Sequence, residues 1–245
     1  MERGVERVLE DRPVKRYRHV FFDLDHTLWD FRANSRETLN ELFAELHLGT
    51  RGVADVAEFI GAYEEINAVL WAQYSVGSMD KEVLRVLRFR NTLLQFGVKD
   101  DKLARTIGHL YIERCPLKKG LVPGAIDLLD HLRGKSMLHI ITNGFHETQH
   151  TKLASSGLLG YFHNIITSEK AGARKPDPRI FRYALNKARA IAEDSVMIGD
   201  DPTTDIAGAR NAGMHTVLYD PEGRHAQVET TRTVAKLRDL LSLLT

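Results

Sequence analysis

The chain has 245 residues, of which 43% are hydrophobic and 27% charged, with a formal net charge of +1. That balance fits a globular protein with one large domain, or a main domain plus an insertion, and it argues against a nucleic-acid polymer or an anionic membrane surface as partner. No apolar stretch approaches the roughly 18 residues that span a bilayer, and a single cysteine, Cys115, excludes an internal disulfide, so a cytoplasmic setting is expected.

Residues 1–18 alternate charges (Arg3, Glu6, Arg7, Glu10) around no apolar signal core, which predicts a polar N-terminal extension and no secretory leader. A first strand is expected over His19–Asp23. From 33 to 116 the periodicity is helical throughout. Asn34 and Glu37 have capping-box spacing for a helix near 35–47, with Leu39, Leu42, Phe43 and Leu46 on one face. Further helices are expected near 53–75, 80–96 and 101–114, between Gly49, Gly77 and Gly97. Pro116 to Pro123 reads as a linker.

Beyond 124 strands and helices alternate. Helices near 124–133, 146–156, 178–190 and 203–212 separate strands ending at Thr142, near Thr167, at Gly199 and at Tyr219; Asp177 is the expected N-cap of the third, with Pro178 at its first position. Val234, Leu237, Leu240, Leu241 and Leu244 predict a closing amphipathic helix. The alternation implies an α/β fold: a Rossmann-like parallel sheet of about five strands, residues 19–32 and 117–245, carrying an inserted all-helical cap over 33–116.

Four of the apolar runs end in residues suited to phosphoryl chemistry. They open into Asp23-Leu24-Asp25-His26-Thr27, Thr142-Asn143-Gly144, Lys175-Pro176-Asp177 and Gly199-Asp200-Asp201 with Asp205 behind. Ligands of open α/β sheets bind beyond the carboxyl ends of the strands, so these segments should meet at one edge. Carboxylates that gather without His or Cys suit a hard cation such as Mg2+. Thr142, the backbone N–H groups around Asn143 and Gly144, and Lys175 complement phosphate oxygens. Each motif alone is an ordinary turn; the four in order are not.

The ordered set resembles the motifs of the haloacid dehalogenase superfamily of phosphohydrolases over residues 19–220, and Phe22–Phe31 resembles the pyrimidine 5′-nucleotidase branch. The resemblance implies a Mg2+-dependent phosphatase acting on a small phosphorylated metabolite, a nucleoside 5′-monophosphate in that branch. It implies Asp23 as nucleophile, Asp25 as acid–base, and Thr142, Asn143, Gly144 and Lys175 on the phosphoryl group. Metal ligands would be Asp23, the Asp25 backbone carbonyl and Asp200, with Asp205, or less directly Asp201, completing the shell. Two positions depart from the pattern: His26 where Gly is common, and Asp201 where a small hydroxyl residue is common.

Other outcomes on the same fold are a phosphoglycolate or sugar-phosphate phosphatase or a phosphomutase, whereas Asp25 argues against a dehalogenase. Trp29, next to the catalytic loop, is a candidate for stacking on a base. His146-Glu147-Thr148-Gln149-His150 spells the zinc-peptidase helix signature, a rival reading. Nothing in the chain predicts an oligomeric state.

Overall fold

The computed structural model describes residues 17–75 and 77–244, so the expected N-terminal extension lies outside the described residues up to position 16. Strand β1 (His19–Phe22) leads into four helices, α1 (Phe31–Glu45), α2 (Val56–Ser75), α3 (Lys81–Gln95) and α4 (Asp101–Arg114). The chain then alternates through α5 (Ala125–Leu132), β2 (Met137–Thr142), α6 (His146–Ser155), β3 (Asn164–Thr167), α7 (Ser168–Ala171), α8 (Pro178–Ala188), β4 (Ser195–Gly199), α9 (Ala207–Asn211), β5 (His215–Tyr219) and β6 (Arg232–Val234). The sheet order is β3-β2-β1-β4-β5-β6, parallel throughout, which is the doubly wound Rossmann order.

β1 is central and buried on both faces. Val20 and Phe22 pack with Leu138, Ile140, Val196 and Ile198 on one side, while Phe21 turns to Ile141, Met197, Ile180 and Phe181 on the other. Two-residue periodicity sends neighbours to opposite faces, so a strand covered twice reads as an unbroken apolar run. In α2 the buried residues Phe59, Tyr63, Asn67, Leu70 and Tyr74 recur at helical spacing. They face α3 and α4, where Tyr63 stacks on Phe89 with ring centroids 5.0 Å apart.

The two crossings between sheet and helical block run side by side. Asp30 N–H donates to the Gly120 carbonyl at 3.1 Å and Val122 N–H to the Leu28 carbonyl at 2.9 Å, an antiparallel bridge centred on Trp29 and Leu121. Gly120 is required there, because a Cβ would lie 2.5 Å from Asn34 Oδ1.

Four local expectations change. The first cap helix starts at Phe31, capped by Asp30, whose carboxylate accepts from Ala33 N–H at 2.9 Å. Asn34, expected as the cap, lies inside the helix; its amide donates to the Gly120 carbonyl (2.8 Å) and accepts from Gly120 N–H (2.9 Å), tying α1 to the return crossing. The helix expected over 203–212 is a π-turn (Pro202–Ile206) followed by α9, and it is capped by Asp201. The sheet gains a sixth strand. Val234 enters β6, and only a 3₁₀ turn (Leu237–Leu241) follows, so the closing amphipathic helix is not formed. The spacing of Val234, Leu237, Leu240 and Leu244 buries these side chains in either form. β-branched Thr231, Thr233 and Val234 suit a strand that pairs the otherwise open edge of β5.

Candidate active site

The site lies at the carboxyl edge of β1, β2 and β4. Asp23 follows β1 directly, and its N–H donates to the Ile198 carbonyl of β4 at 2.9 Å, which keeps the two strand ends level. Asp200 follows β4. The π-turn brings Asp205 back to the same point, where its side chain is 1% exposed. Such turns widen a helix by one residue and recur at functional sites. Gly199 is what lets it approach: a Cβ there would sit 2.2 Å from Asp205 Oδ2.

Asp23, Asp200 and Asp205 each offer a carboxylate oxygen, all within 4.8 Å of one another. Lys175 Nζ stands among them, 2.5 Å from Asp23 Oδ1 and 2.6 Å from Asp205 Oδ1. Burial pushes the Asp23 carboxyl well above its ordinary pKa; Lys175 resists the shift, and Asp205 and Asp200 add to it. Asp200 is pushed up to about 7, first by burial and then by Asp205, against a hydrogen bond from Thr27 Oγ1 at 2.9 Å. Asp205 also shifts upward through burial, with Lys175 opposing. Burial disfavours the Lys175 ammonium, but Asp205 and Asp23 outweigh it and hold the lysine charged. Among the described residues this is the only set of three or more His, Cys, Asp or Glu side chains close enough to share a metal ion.

Thr142 closes β2 at the same edge, and its Oγ1 accepts from Gly144 N–H at 3.1 Å. Asn143 is spent elsewhere: its amide donates to the Lys175 carbonyl (3.0 Å) and accepts from Lys175 N–H (2.8 Å). The Asn143 side chain thereby clamps the main chain that carries the buried ammonium. Asp201 is likewise engaged, accepting from the N–H groups of Thr203 (2.7 Å) and Thr204 (3.0 Å). These donors outweigh burial and hold its carboxyl below the ordinary range. Asp205 thus joins the acidic cluster, and Asp201 caps the turn. His26 has φ +65°, a left-handed conformation that favours glycine, which is the residue common at that position of the motif.

Asp25 is held apart from that cluster. Lys152 Nζ lies 2.5 Å from Asp25 Oδ1, and Gln149 Nε2 donates to Asp25 Oδ2 at 2.9 Å. Burial raises the Asp25 pKa, but Lys152 and Gln149 more than offset it and leave the carboxyl below its ordinary value. Asp25, Gln149 and Lys152 line a cleft between the sheet and the helical block, with Phe31, Trp71 and Phe145 among its other walls. Trp29 does not serve as a stacking surface. It is fully buried, its indole N–H donates to the Lys118 carbonyl at 3.1 Å, and the Lys152 ammonium lies 4.4 Å from its ring centroid.

Thr27, Gln149 and Lys152 were missed as site residues. The last two stand on the helix that spells the peptidase signature, on the face carrying Phe145 and Leu153, not the one carrying His146 and His150. The available signal in the sequence is the spacing that puts Gln149 and Lys152 on the same helix face as the apolar Phe145 and Leu153. The signature itself serves other ends. Glu147 pairs with Lys81 (2.6 Å) and Arg85 (2.7 Å) of α3, and His146 Nδ1 sits 3.2 Å from Thr167 Oγ1. Neither histidine belongs to the metal-capable cluster, so the zinc-peptidase reading fails.

A family model described as haloacid dehalogenase-like hydrolase matches residues 17–213. Pyrimidine 5′-nucleotidase PynA of Streptococcus pneumoniae is 33% identical over 93% of this chain and 95% of its own length. Pyrimidine 5′-nucleotidase YjjG of Escherichia coli is 34% identical over 92% and 96%. Among solved structures, the magnesium-bound HAD-hydrolase YfnB of Bacillus subtilis superposes with a TM-score of 0.84 at 31% identity, covering 94% of this chain and 99% of that one. The chain belongs to the haloacid dehalogenase-like hydrolases.

Proposed function

We propose that this hydrolase cleaves phosphomonoesters through an aspartyl phosphate on Asp23, that Mg2+ occupies the acidic cluster, and that the substrate is a nucleoside 5′-monophosphate. The carrying observation is the convergence of Asp23, Asp200 and Asp205 around Lys175, with Asp25, two residues beyond Asp23 at the same strand end, lining a cleft.

The donor set suits Mg2+. It is all oxygen, and three carboxylates against one ammonium leave two negative charges, which one divalent ion balances. Burial raises the pKa of all three acids, an electrostatic load that a bound cation relieves. Asp23, Asp200 and the Asp25 carbonyl would hold the ion, with Asp205 completing the set and steadying Lys175. Bound there, Mg2+ would screen the Asp23 carboxylate from the phosphate dianion.

The residues then divide the work. An Asp23 oxygen attacks phosphorus, the bond to the leaving oxygen breaks, and that oxygen takes the proton that Asp25 carries once the incoming phosphate dianion offsets the pull of Lys152 and Gln149. Asp25 next removes a proton from water, whose oxygen attacks phosphorus and breaks the aspartyl bond, releasing phosphate and restoring Asp23. Thr142 and Lys175 hold the transferring oxygens; one preorganised donor of this kind is worth about 10²–10³ in rate. Helices α1–α4 act as a cap, residues 33–116, that excludes water over a core of 19–32 and 117–245. No helix among the described residues is long and apolar enough to cross a membrane.

The nucleotide assignment draws on the two pyrimidine 5′-nucleotidases that match over most of the chain. Phosphate release from uridine, thymidine and cytidine 5′-monophosphates, measured beside phosphoglycolate and sugar phosphates, tests it; the nucleotides should lead by kcat/KM. Asp23→Asn should abolish turnover and the acid-stable, alkali-labile phosphoprotein. Turnover that survives in Asp23→Asn ends the proposal.

A further inference from the structure

The helical block buries a cation that no described residue neutralises. Arg88 of α3 is 4% exposed. Its Nη1 donates to Tyr63 Oη at 3.3 Å, its guanidinium carbon stands 4.9 Å from the Tyr111 ring centroid, and its Nε has no hydrogen-bond partner. No carboxylate among the described residues lies within ion-pair distance of it, whereas Arg85, one turn away, is paired twice. The neighbouring acids do not supply the missing charge: burial pushes the Tyr63 and Tyr111 phenols and the Cys115 thiol up and keeps them neutral. A buried guanidinium held only by a phenol and two ring faces is costly unless something else accepts its protons.

Arg88 also lines the cleft that holds Asp25, Gln149 and Lys152, and the aromatic walls of that cleft, Phe31, Trp71 and Phe145, suit a flat group. Arginine is donor-only, with five N–H groups in a rigid fork, so it selects acceptors and rejects amino groups. We propose that Arg88 is a specificity-determining residue that donates hydrogen bonds to a carbonyl oxygen on a planar ring of the leaving group. This rests on the nucleotide reading above and narrows it to bases that carry a carbonyl oxygen on the ring.

The test compares kcat/KM for uridine 5′-monophosphate with that for phenyl phosphate, which has a flat leaving group without a carbonyl, in the full-length wild type and in Arg88→Met. Hydrogen bonds from a charged donor are worth about a 10- to 100-fold preference, so the uridine-to-phenyl ratio should fall by that factor. An unchanged ratio, in a wild type that does hydrolyse uridine 5′-monophosphate, overturns the inference alone. A wild type that hydrolyses phenyl phosphate and leaves uridine 5′-monophosphate intact overturns the nucleotide reading and this inference with it. If Arg88→Met loses its cooperative melting transition, Arg88→Lys reads the same ratio with a point charge in place of the fork: a fall supports the assignment and an unchanged ratio overturns it.

Discussion

Lys152 and Asp25 meet across 127 residues of chain, with the ammonium 2.5 Å from the carboxylate. The lysine is 4% exposed and lies over the Trp29 ring, so it is a fixed charge and not a solvated one. The Asp25 carboxyl, proposed above as the acid–base group, is thus set by the helix after β2, not by its own loop.

Replacing Lys152 with Met should raise the Asp25 pKa, because burial then acts with only Gln149 and, more weakly, His26 to oppose it. In the proposed mechanism breakdown of the phosphoenzyme requires ionised Asp25, so the acidic limb of that step should move to higher pH. On that acidic limb the loss should not exceed the roughly 10²–10⁴-fold that general acid–base help supplies. A pH profile of phosphoenzyme decay checks both; a profile unmoved in Lys152→Met contradicts the role given to the pair.

Magnesium should stabilise the fold through the three acids. A ligand at about 100 times its Kd adds roughly 2.7 kcal/mol, and for a chain of this size each kcal/mol moves Tm by about 2–4 °C. A rise of about 5–10 °C with Mg2+ is expected, reversed by EDTA. Asp200→Asn should lose most of that shift and, in EDTA, should melt no lower than wild type, since one of three crowded carboxylates is gone. Thermal melts in EDTA and in Mg2+ decide it.

Much of this site is legible from residue types at strand ends. Asp23, Asp200, Asp205 and Lys175 are chemically odd companions for apolar strands, and a parallel sheet gathers such ends at one edge without reference to side-chain detail. What the chain does not display is rotation and division of labour. On α6 the sequence offers two faces, His146/His150 and Gln149/Lys152, and the one that meets Asp25 is chosen by how Phe145 and Leu153 bury. Asn143 and Asp201 stand inside the right motifs yet bond to the Lys175 main chain and to a helix start, because a buried backbone polar group must find a partner. Trp29 has the composition of a stacking platform, and only the antiparallel crossing at Leu121 shows that it is sealed from the cleft. Likewise β6 depends on an open edge of β5, a property of the sheet and not of residues 232–234 taken alone.

Gly144 is small for a reason that can be tested by adding one carbon. A Cβ there would fall 1.8 Å from Gln149 Nε2, the atom that holds Asp25 Oδ2. Gly144→Ala should displace Gln149 and loosen Asp25, and a misplacement near 1 Å costs about 10²-fold in rate. kcat should fall by that order with little change in Mg2+ affinity, since the acidic cluster lies on other loops. Parallel kinetics of Gly144→Ala and Gln149→Ala check the route: the double variant should be no worse than the poorer single one.

At the opposite end of the sheet, His139 is fully buried in β2, with its Nε2 3.2 Å from His19 Nδ1 and its Nδ1 3.0 Å from Asn164 Nδ2. Burial, then His19 and His163, lower its pKa from 6.5 to about 3. The folded state therefore binds fewer protons here than the unfolded chain between those values. Its share of stability is whole above pH 6.5 and is lost as the pH falls toward 3, on the order of a few kcal/mol in all. Asp200 contributes with the opposite sign between about pH 4 and 7, so the absolute curve mixes the two. The comparison with His139→Gln separates them, because Asp200 titrates in both proteins while the glutamine amide keeps a polar partner for Asn164 and takes no proton. Urea unfolding of the two at pH 7.5, 6 and 5 should show the variant gaining on wild type as the pH falls; parallel curves would mean that His139 takes up no proton on unfolding.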